Sequence, residues 1–565
     1  MPIRIYNSLS NSKESFETIE PGKVGMYLCG PTVYKPSHIG HAVGPVIFDT
    51  IKRYLTIFHG YKVNWVVNIT DVEDKLIAEA NVQGIGVFEL AQRVEQNYHD
   101  ALAALAVDGV DHFPKASENI AEIISMIETL ISTDYAYVVG GDVYFNVTND
   151  DDYGKLSNRN PDDQTGHREL ASGPKKHPGD FALWKQARED EPDAVKYDSP
   201  WGKGRPGWHI ECSAMSKRIL GDSFDIHGGG LDLIFPHHEN EIAQSESCTH
   251  KPFAKYWMHH GLTRFNTKKV SKSDPEMQAA LAAMTLSKLL EEYSGELLRF
   301  FIISTQYRSP IEYSPAELAG KKKGLTSFHR LFKRVNDLGA GDVYDAPSAA
   351  DTSTFKIDPQ DLGDPAIELA ASVAHARDRF QTAMDDDFNT AAATAVLFEL
   401  TNDVNRFIEV KGLESSDDSA GKQFALKAAH ALAALGQSLG VFLSAPEVAA
   451  GGDALVGQLI DALLEVRSAC RTEKCFELAD QVRDQLNALN VLVEDKPSGA
   501  TWSIEKSSDD LQSKLVEAHI QTRLASKAAK NFTLSDMIRD RLASIGVTLE
   551  DRAGGTTWEL TESQS

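Results

Sequence analysis

Apolar residues in the first third of the chain follow the pattern of a parallel α/β sheet. Residues 24–28 form a β-prone run that stops at a Gly-Pro pair, residues 46–60 have helical spacing, and residues 62–69 indicate a buried strand. A polar string, residues 70–75, follows that strand. Because open parallel sheets bind ligands beyond the carboxyl ends of their strands, the pattern predicts a ligand site at this point.

The pattern changes in the middle of the chain. Residues 141–147 predict an isolated hairpin strand, and the polar stretch after them is rich in Gly and Pro. We therefore expect residues 112–200 to be an insertion between two halves of one α/β domain. Amphipathic helices of a bundle are predicted over residues 365–410 and 423–443, behind an acidic linker at residues 338–363.

The last hundred residues contain an internal repeat. Residues 467–502 align without gaps with residues 523–558, at an offset of about 56 residues. Matching pairs include Phe476/Phe532, Leu478/Leu534, Asp480/Asp536, Arg483/Arg539, Asp484/Asp540, Leu486/Leu542, Glu494/Glu550, Asp495/Asp551, Gly499/Gly555 and Trp502/Trp558. Each copy predicts a helix, a short strand, a Gly turn and a strand that ends in Trp.

Composition places the chain among ordinary globular proteins. Of its 565 residues, 42% are hydrophobic and 25% are charged, and the net charge of −25 argues against a surface coated for non-specific nucleic-acid binding. No apolar run approaches the roughly 20 residues that span a bilayer, and the N-terminus lacks the layout of a signal peptide. Five cysteines in a chain of this length favour a reducing compartment over a disulfide scaffold.

The stretch around His38, Gly40 and His41 has the chemistry of a phosphate site. It joins the end of the first strand to a predicted helix start, with Ser37 as the candidate cap. Free backbone N–H groups and the helix dipole favour an anion there, two imidazoles on one face add donors, and Gly40 lets a flat ring approach the backbone. A solvated helix start with two incidental histidines is the alternative.

A second cluster offers ligands for a metal. His237 and Glu241 are four residues apart in a predicted helix and share one face. With Cys29 and Cys212 they would supply one imidazole, one carboxylate and two thiolates, which is a tetrahedral zinc set. The four residues are far apart in the sequence, so their spacing does not exclude buried free cysteines beside a capped helix. His238 is the competing imidazole.

Two polar, basic segments follow. Lys269 and Lys272 lie between serines in a loop, where point charges can hold a leaving pyrophosphate; a solvated basic loop is the alternative. Residues 320–334 form the densest basic run and are a candidate for contact with an RNA backbone, although a solvated helix face is the ordinary interpretation.

These three signals occur together, in this order, in one protein family. The residues that carry the resemblance are His-Ile-Gly-His at 38–41, the Cys/Cys/His/Glu set, Lys-Val-Ser-Lys-Ser at 269–273, and the strings at 29–34, 68–75, 207–212 and 235–241. From about residue 5 to about residue 502 the chain resembles cysteinyl-tRNA synthetases, a family of class I aminoacyl-tRNA synthetases. It departs from them at Val270, where Met is usual, and after Ser273, where a longer Ala-rich segment replaces Leu-Gly-Asn.

The resemblance implies an α/β fold: a Rossmann-like parallel-sheet catalytic domain with a connective insertion, then a helical bundle and small, duplicated C-terminal α+β anticodon-binding modules. The implied segments are the first half of the catalytic domain (1–111), the connective insertion (112–200), the second catalytic half (201–262), the Lys-Val-Ser-Lys-Ser loop and stem-contact region (263–337), the acidic linker (338–363), the bundle (364–445), one anticodon-recognition module (455–504) and its second copy (510–560).

The resemblance also implies a reaction, in which cysteine is activated with ATP to cysteinyl adenylate and transferred to the 3′ end of tRNA(Cys). Zinc suits this substrate, because apolar packing discriminates poorly between serine and cysteine whereas zinc prefers a thiolate. The implied site residues are Cys29, Cys212, His237 and Glu241 for the metal; His38, His41, Lys269 and Lys272 for catalysis; Gly40 and Asp232, with the two lysines, for ATP; and Thr70, Trp208 and His227 for cysteine.

One Zn²⁺ per subunit and Mg²⁺ with ATP are the implied cofactors, and ATP, L-cysteine and tRNA(Cys) the implied partners. By the same resemblance we expect a cytoplasmic monomer without membrane contact. A zinc ligase that joins cysteine to an amino sugar would keep the site but have no use for two anticodon modules. An inactive RNA-binding relative would have lost some motif residues, and all are present. Either tail copy could recognise the anticodon, or the second could be a packing element.

Overall fold

The computed structural model describes residues 2–159, 175–265, 284–359, 361–446, 454–496, 499–504, 510–552 and 555–560. Two compact units divide the chain, Met1–Leu443 and Ser444–Ser565. Lys269, Lys272 and the altered loop after Ser273 lie outside the described residues. Within the described ranges, no helix is long and apolar enough to cross a bilayer.

The first unit contains the α/β part and the helical bundle. Its strands are β1 (Arg4–Asn7), β2 (Ser12–Ser15), β3 (Lys23–Leu28), β4 (Lys62–Val67), β5 (Ala136–Val139), β6 (Asp142–Phe145), β7 (Phe181–Gln186), β8 (Gly204–Pro206), β9 (Phe224–Gly230), β10 (Ala254–His260), β11 (Thr263–Phe265) and β12 (Ile311–Tyr313). Its helices are α1 (Ile39–His59), α2 (Asp74–Gln83), α3 (Val87–Ala104), α4 (Ile120–Ser132), α5 (Trp208–Leu220), α6 (Glu239–Thr249), α7 (Leu286–Glu292), α8 (Gly295–Ile303), α9 (Pro315–Asp337), α10 (Asp364–Asp385), α11 (Thr390–Lys411) and α12 (Ser419–Ser438).

A parallel sheet in the order β10-β9-β3-β4 forms the centre of the α/β part, which confirms the predicted fold class. The last three residues of β3 and of β4 are all buried, so both faces of the sheet are covered there. Tyr27 pairs in register with His227, and His227 with Trp257. The carboxyl ends of the strands therefore meet along one edge, next to Cys29 and the polar string after β4.

The insertion is a four-stranded antiparallel sheet in the order β5-β6-β7-β8, and the prediction of an isolated hairpin strand was wrong. Its last strand ends at Pro206, beyond the predicted limit at residue 200. Two basic side chains of the sheet, Lys185 and the buried Arg205, form ion pairs with Asp74 at the start of α2. The insertion is thereby joined to the segment that follows β4.

Arg299 in α8 joins the α/β part to the bundle. Its side chain is fully buried and donates to Asp49 Oδ2 (2.6 Å), Leu439 O (2.8 Å) and Leu105 O (3.1 Å). These acceptors belong to α1, to the end of α12 and to the turn after α3. The segment expected to be an acidic linker also packs on the bundle, because Val343 and Phe355 belong to the hydrophobic core.

The second unit contains both repeat copies, and each copy has two helices and a hairpin. The first consists of α13 (Ala454–Thr472), α14 (Phe476–Ala488), β13 (Val491–Lys496) and β14 (Gly499–Ile504); the second consists of α15 (Leu511–Ala528), α16 (Phe532–Ser544), β15 (Val547–Arg552) and β16 (Gly555–Leu560). The hairpins have the same register, with Trp502 opposite Val493 and Trp558 opposite Leu549. Buried side chains of both copies form one hydrophobic core.

Candidate active site and metal centre

Four potential metal ligands meet at the carboxyl edge of the parallel sheet. Cys29 follows β3, Cys212 lies in the second turn of α5, and His237 and Glu241 lie just before and in the first turn of α6. Each reaches the site from a different element, although 212 residues separate Cys29 from Glu241. The group Cys29, Cys212, His237 and Glu241 has one ligand atom of each residue within 4.8 Å of all the others.

The distances between these atoms fit a tetrahedral ion. The two sulfur atoms are 3.8 Å apart, and Cys212 Sγ lies 3.6 Å from His237 Nε2. Bond lengths of about 2.3 Å to sulfur and about 2.0–2.1 Å to nitrogen around a tetrahedral Zn²⁺ place such pairs about 3.8 Å and about 3.6 Å apart. Glu241 Oε1 completes the set, at 3.3 Å from Cys29 Sγ and 3.0 Å from His237 Nε2.

The charges of the cluster are strongly coupled. Burial disfavours the charge on Glu241, but His227 and His237 hold the pKa of this carboxyl well below its usual value. A hydrogen bond from the Cys29 thiol lowers the pKa of Cys212 to about 6, against the effect of burial. Burial lowers the pKa of His237, yet Glu241 and Cys212 together raise it to about 10. Cys212 and Glu241 are therefore shifted toward the ionised state that a divalent cation requires. Burial and the hydrogen bond with Cys212 raise the pKa of Cys29 well above its usual value, so a bound cation has to displace protons from Cys29 and His237.

A second combination of residues shares part of this cluster. Cys29, His227, His238 and Glu241 also come within range of one another. His227, however, hydrogen-bonds through Nε2 to the other oxygen of Glu241, Oε2, at 2.8 Å, and its ring stacks on Trp257. His238 hydrogen-bonds to His259 instead. If the first combination binds the ion, His227 and His238 keep these partners. His227 then orients Glu241 through the hydrogen bond to its second oxygen.

The two histidines of the first motif stack on each other at the start of α1, with ring centroids 3.9 Å apart. The helix is capped by His38 and not by Ser37, because His38 Nδ1 accepts from the backbone N–H of Gly40 at 3.1 Å. A Cβ on Gly40 would lie 2.9 Å from the His38 ring, so the glycine leaves room for that ring. Burial and the neighbouring His38 lower the pKa of His41 to about 3.

The other predicted site residues lie at different distances from the four potential metal ligands. Trp208, at the start of α5, stacks on His237 with centroids 4.2 Å apart. Thr70 is buried and donates from its hydroxyl to Glu211 Oε2 at 3.0 Å. Asp232 lies in the single turn after β9 and is exposed to solvent. The structure therefore brings Trp208 and His227 against the four potential metal ligands, whereas Thr70 reaches them through the residue next to Cys212.

Sequence reasoning missed two buried groups at this site. Glu211 has its Oε1 atom without a hydrogen-bond partner in the described part of the chain, and burial beside Cys212 raises its pKa well above the usual value. The Tyr27 hydroxyl lies beside the thiol of Cys212, and burial with Cys212 and Cys29 nearby raises its pKa well above the usual value. Glu211 is next to Cys212 in the string 207–212, and Tyr27 lies two residues before Cys29, which was the available signal.

Family models match most of the first unit. The model described as "tRNA synthetases class I (C) catalytic domain" matches residues 15–323, and the model described as "DALR domain" matches residues 379–443. Among solved structures, Mycobacterium tuberculosis methionyl-tRNA synthetase bound by methionyl-adenylate has a TM-score of 0.54 at 14% identity, over 78% of this chain and 94% of that chain. At that identity the likeness concerns the fold alone.

Curated relatives are much more similar in sequence. The "Cysteine--tRNA ligase" of Geobacter sulfurreducens is 43% identical over 514 residues, which cover 89% of this chain and 100% of the relative. The protein of the same name from Heliobacterium modesticaldum is 42% identical over 504 residues, with 89% and 99% covered. This chain therefore belongs to the cysteine–tRNA ligase family of class I aminoacyl-tRNA synthetases.

Proposed function

We propose that the chain is a cysteine–tRNA ligase, which activates L-cysteine with ATP and transfers it to tRNA(Cys). The name of the relatives and their end-to-end coverage support this function. In the first step the cysteine carboxylate attacks the α-phosphate of ATP, and pyrophosphate leaves. In the second step a terminal hydroxyl of the tRNA attacks the carbonyl of the adenylate, and AMP leaves. Neither step needs a covalent bond to the enzyme.

The observation that carries the proposal is the convergence of Cys29, Cys212, His237 and Glu241 at distances that suit a tetrahedral ion. We assign these residues to one Zn²⁺, which when bound supplies a Lewis acid that takes the substrate thiol as a thiolate and does not match the hydroxyl of serine. In the proposed site, the stacked Trp208 ring and the hydrogen bond from His227 hold two of the ligands in orientation.

The stacked histidines support the assignment of the nucleotide side of the site. His38 and His41 lie at a helix start, where their N–H groups could stabilise charge on the α-phosphate, and we assign Gly40 to the nucleotide side because it leaves room for the His38 ring there. We assign Asp232 to the ribose side because it is exposed just beyond β9. Lys269, Lys272 and Mg²⁺ are assigned to the departing pyrophosphate on their sequence motif alone. A cytoplasmic monomer remains our expectation.

The test is cysteine-dependent exchange of pyrophosphate into ATP, together with the zinc content of the purified chain. Cys212→Ser should lose the bound zinc and lower cysteine-dependent exchange by roughly 100-fold or more, because a hydroxyl is a poor zinc ligand. Cys470→Ser is the matched control: Cys470 is equally buried, it lies in the second unit, and the second repeat copy has Ser526 at that position. Cys470→Ser should keep the bound zinc and the cysteine-dependent exchange.

Transfer to tRNA separates this function from its alternatives. Exchange that depends on cysteine, followed by formation of Cys-tRNA(Cys), supports the proposal. Exchange without transfer to any tRNA would indicate a ligase for a small amine, and tRNA binding without exchange would indicate an inactive relative. Zinc retained in Cys212→Ser with unchanged selectivity for cysteine over serine would contradict the assignment of the metal site.

A further inference from the structure

The two repeat copies contact each other through equivalent surfaces. Helix α13 packs on α15, and the contact of α13 with α16 has its counterpart in the contact of α15 with α14. Gln485 Nε2 donates to Gln521 Oε1 (3.1 Å), and Arg541 Nη2 donates to Glu465 Oε1 (2.9 Å). Gln485 and Arg541 occupy the same repeat position, and so do Glu465 and Gln521. A pseudo-twofold axis therefore relates the copies, as in an isologous dimer.

The first helix of each copy, α13 or α15, contacts its own hairpin through one side and the other copy through the opposite side. In α13, Asp461 accepts from Trp502 Nε1 (2.6 Å) and Arg467 binds Asp495 (2.6 and 2.8 Å), both within the first copy. Helical spacing places a fully buried stripe on the other side. This stripe consists of Leu459, Ala462 and Val466 in α13, and of Leu515, Ala518 and Thr522 in α15.

A direct contact shows what these stripes face. Thr522 Oγ1 donates to Gln485 Oε1 at 3.1 Å, which joins the stripe of α15 to α14 of the first copy. The buried residues of both stripes belong to the single hydrophobic core of this unit, apart from Ala462 and Thr522, which are buried beside it. Without α15, the first copy would present an apolar face to water.

The covered face of the first copy would also fit the same face of a second molecule. If two first copies met about the same axis, Gln485 of one would lie opposite Glu465 of the other, and an amide can donate to a carboxylate there. The apolar residues Leu459 and Val466 would meet their own equivalents. No pair of like charges results at these positions, so the surface has both the apolar area and the polar pairing that a symmetric contact requires.

We infer that the face of α13 and α14 covered by α15 is a self-association surface, which binds a second copy of this chain whenever α15 is displaced. In the intact chain the second repeat copy occupies this surface and blocks that association. The relative from Geobacter sulfurreducens aligns over 100% of its length with 89% of this chain. About one-tenth of the chain, roughly the length of one repeat copy, therefore has no counterpart in that relative. This role does not depend on which copy contacts RNA.

The test uses the full-length chain with one substitution in the buried stripe. Ala518→Glu places an unpaired carboxylate between the copies, whereas Ala528→Glu puts the same group on the exposed end of the same helix. Sedimentation over a range of concentrations should give twice the mass of the unchanged chain for Ala518→Glu at high concentration, and an unchanged mass for Ala528→Glu. Adding Ala462→Glu to Ala518→Glu should restore the original mass. An unchanged mass for Ala518→Glu, or a doubled mass that survives Ala462→Glu, overturns the inference.

A second measurement applies if Ala518→Glu disrupts the unit altogether. A protease site is placed between Ile504 and Asp510 in the otherwise unchanged full-length chain, and the purified protein is then cut. The C-terminal fragment should co-elute with the rest of the chain, because the shared core and not the connection holds it. When tagged and untagged cut proteins are mixed under conditions that release the fragment, mixed dimers of the large fragment should form. Fragments that separate at once, or a released large fragment that stays folded and monomeric, would refute the inference.

Discussion

Acidification below pH 6.5 should destabilise the second unit through one buried histidine. His519 in α15 is fully buried; its Nδ1–H donates to the backbone oxygen of Leu515 (2.8 Å), and its Nε2 has no partner among the described residues. A second proton would therefore create a buried charge with an unsatisfied donor. The equivalent position of the first copy holds Leu463, so His519→Leu is a substitution that this repeat already accommodates.

The size of the effect follows from the pKa. Burial lowers the pKa of His519 to about 4, although the bond to Leu515 acts in the opposite direction. The unfolded chain takes up the proton near pH 6.5 and the folded unit only near pH 4, so stability is complete above 6.5 and is lost as the pH falls between these values. At about 1.4 kcal/mol per pKa unit, the unit should lose about 3 kcal/mol of unfolding free energy, with no further change from this group below pH 4.

The assay is urea unfolding of the full-length chain at pH 7.5, 5.5 and 4.5, read by a brief hydrogen-exchange pulse and mass spectrometry of peptides from residues 454–560. The unchanged chain and His519→Leu have the same carboxylates. The difference between their unfolding free energies at each pH therefore reports the contribution of His519 alone. His519→Leu should remove most of the pH dependence in this interval. An equal loss of stability in both proteins would refute the reasoning. Peptides of the first unit serve as the internal reference.

Three further perturbations test other parts of the structure. Arg299→Met should cost about 3–5 kcal/mol, because it removes one of the two ion pairs of the buried Asp49 and takes the donor away from the backbone oxygens of Leu439 and Leu105; urea unfolding measures this, and a loss below about 1 kcal/mol would contradict it. Gly40→Ala should lower the rate of pyrophosphate exchange by roughly 100-fold by displacing His38, without changing the unfolding temperature, whereas an unchanged rate would show that the ring can move freely. Removal of metal by a chelator should lower the unfolding temperature of the first unit and leave that of the second unchanged; an equal shift in both would argue against the proposed site.

Local patterns in the sequence predicted the central sheet and the relative position of two of the four proposed metal ligands. The apolar runs before and after the first helix became adjacent parallel strands, because a buried strand is defined by its own residues. The four-residue spacing of His237 and Glu241 puts their ligand atoms 3.0 Å apart. The convergence of Cys29 and Cys212 on that pair could not be derived from spacing and came from the family resemblance.

Features that depend on distant partners were not predictable in this way. The insertion was interpreted as an isolated strand because β7 and β8 lie far along the chain from the hairpin of β5 and β6, and pairing over that distance leaves no local signal. Ser37 was the better cap by residue type, but its backbone oxygen accepts from Leu286 N (2.8 Å) and His38 caps the helix. Arg299 gave no sign of its buried position, since only tertiary contacts with Asp49 and two loops compensate its charge.

The distribution of the proposed metal ligands has a consequence for synthesis of the chain. Cys29 is made early, but 212 residues separate it from Glu241, and the whole insertion lies between them. At roughly 5–20 residues per second, a ribosome needs about 10 to 40 seconds to add that stretch. During most of this interval the Cys29 thiol has none of its three partners and is open to oxidation. If Cys29 binds the proposed ion, its thiol must stay reduced until the other three ligands have been made.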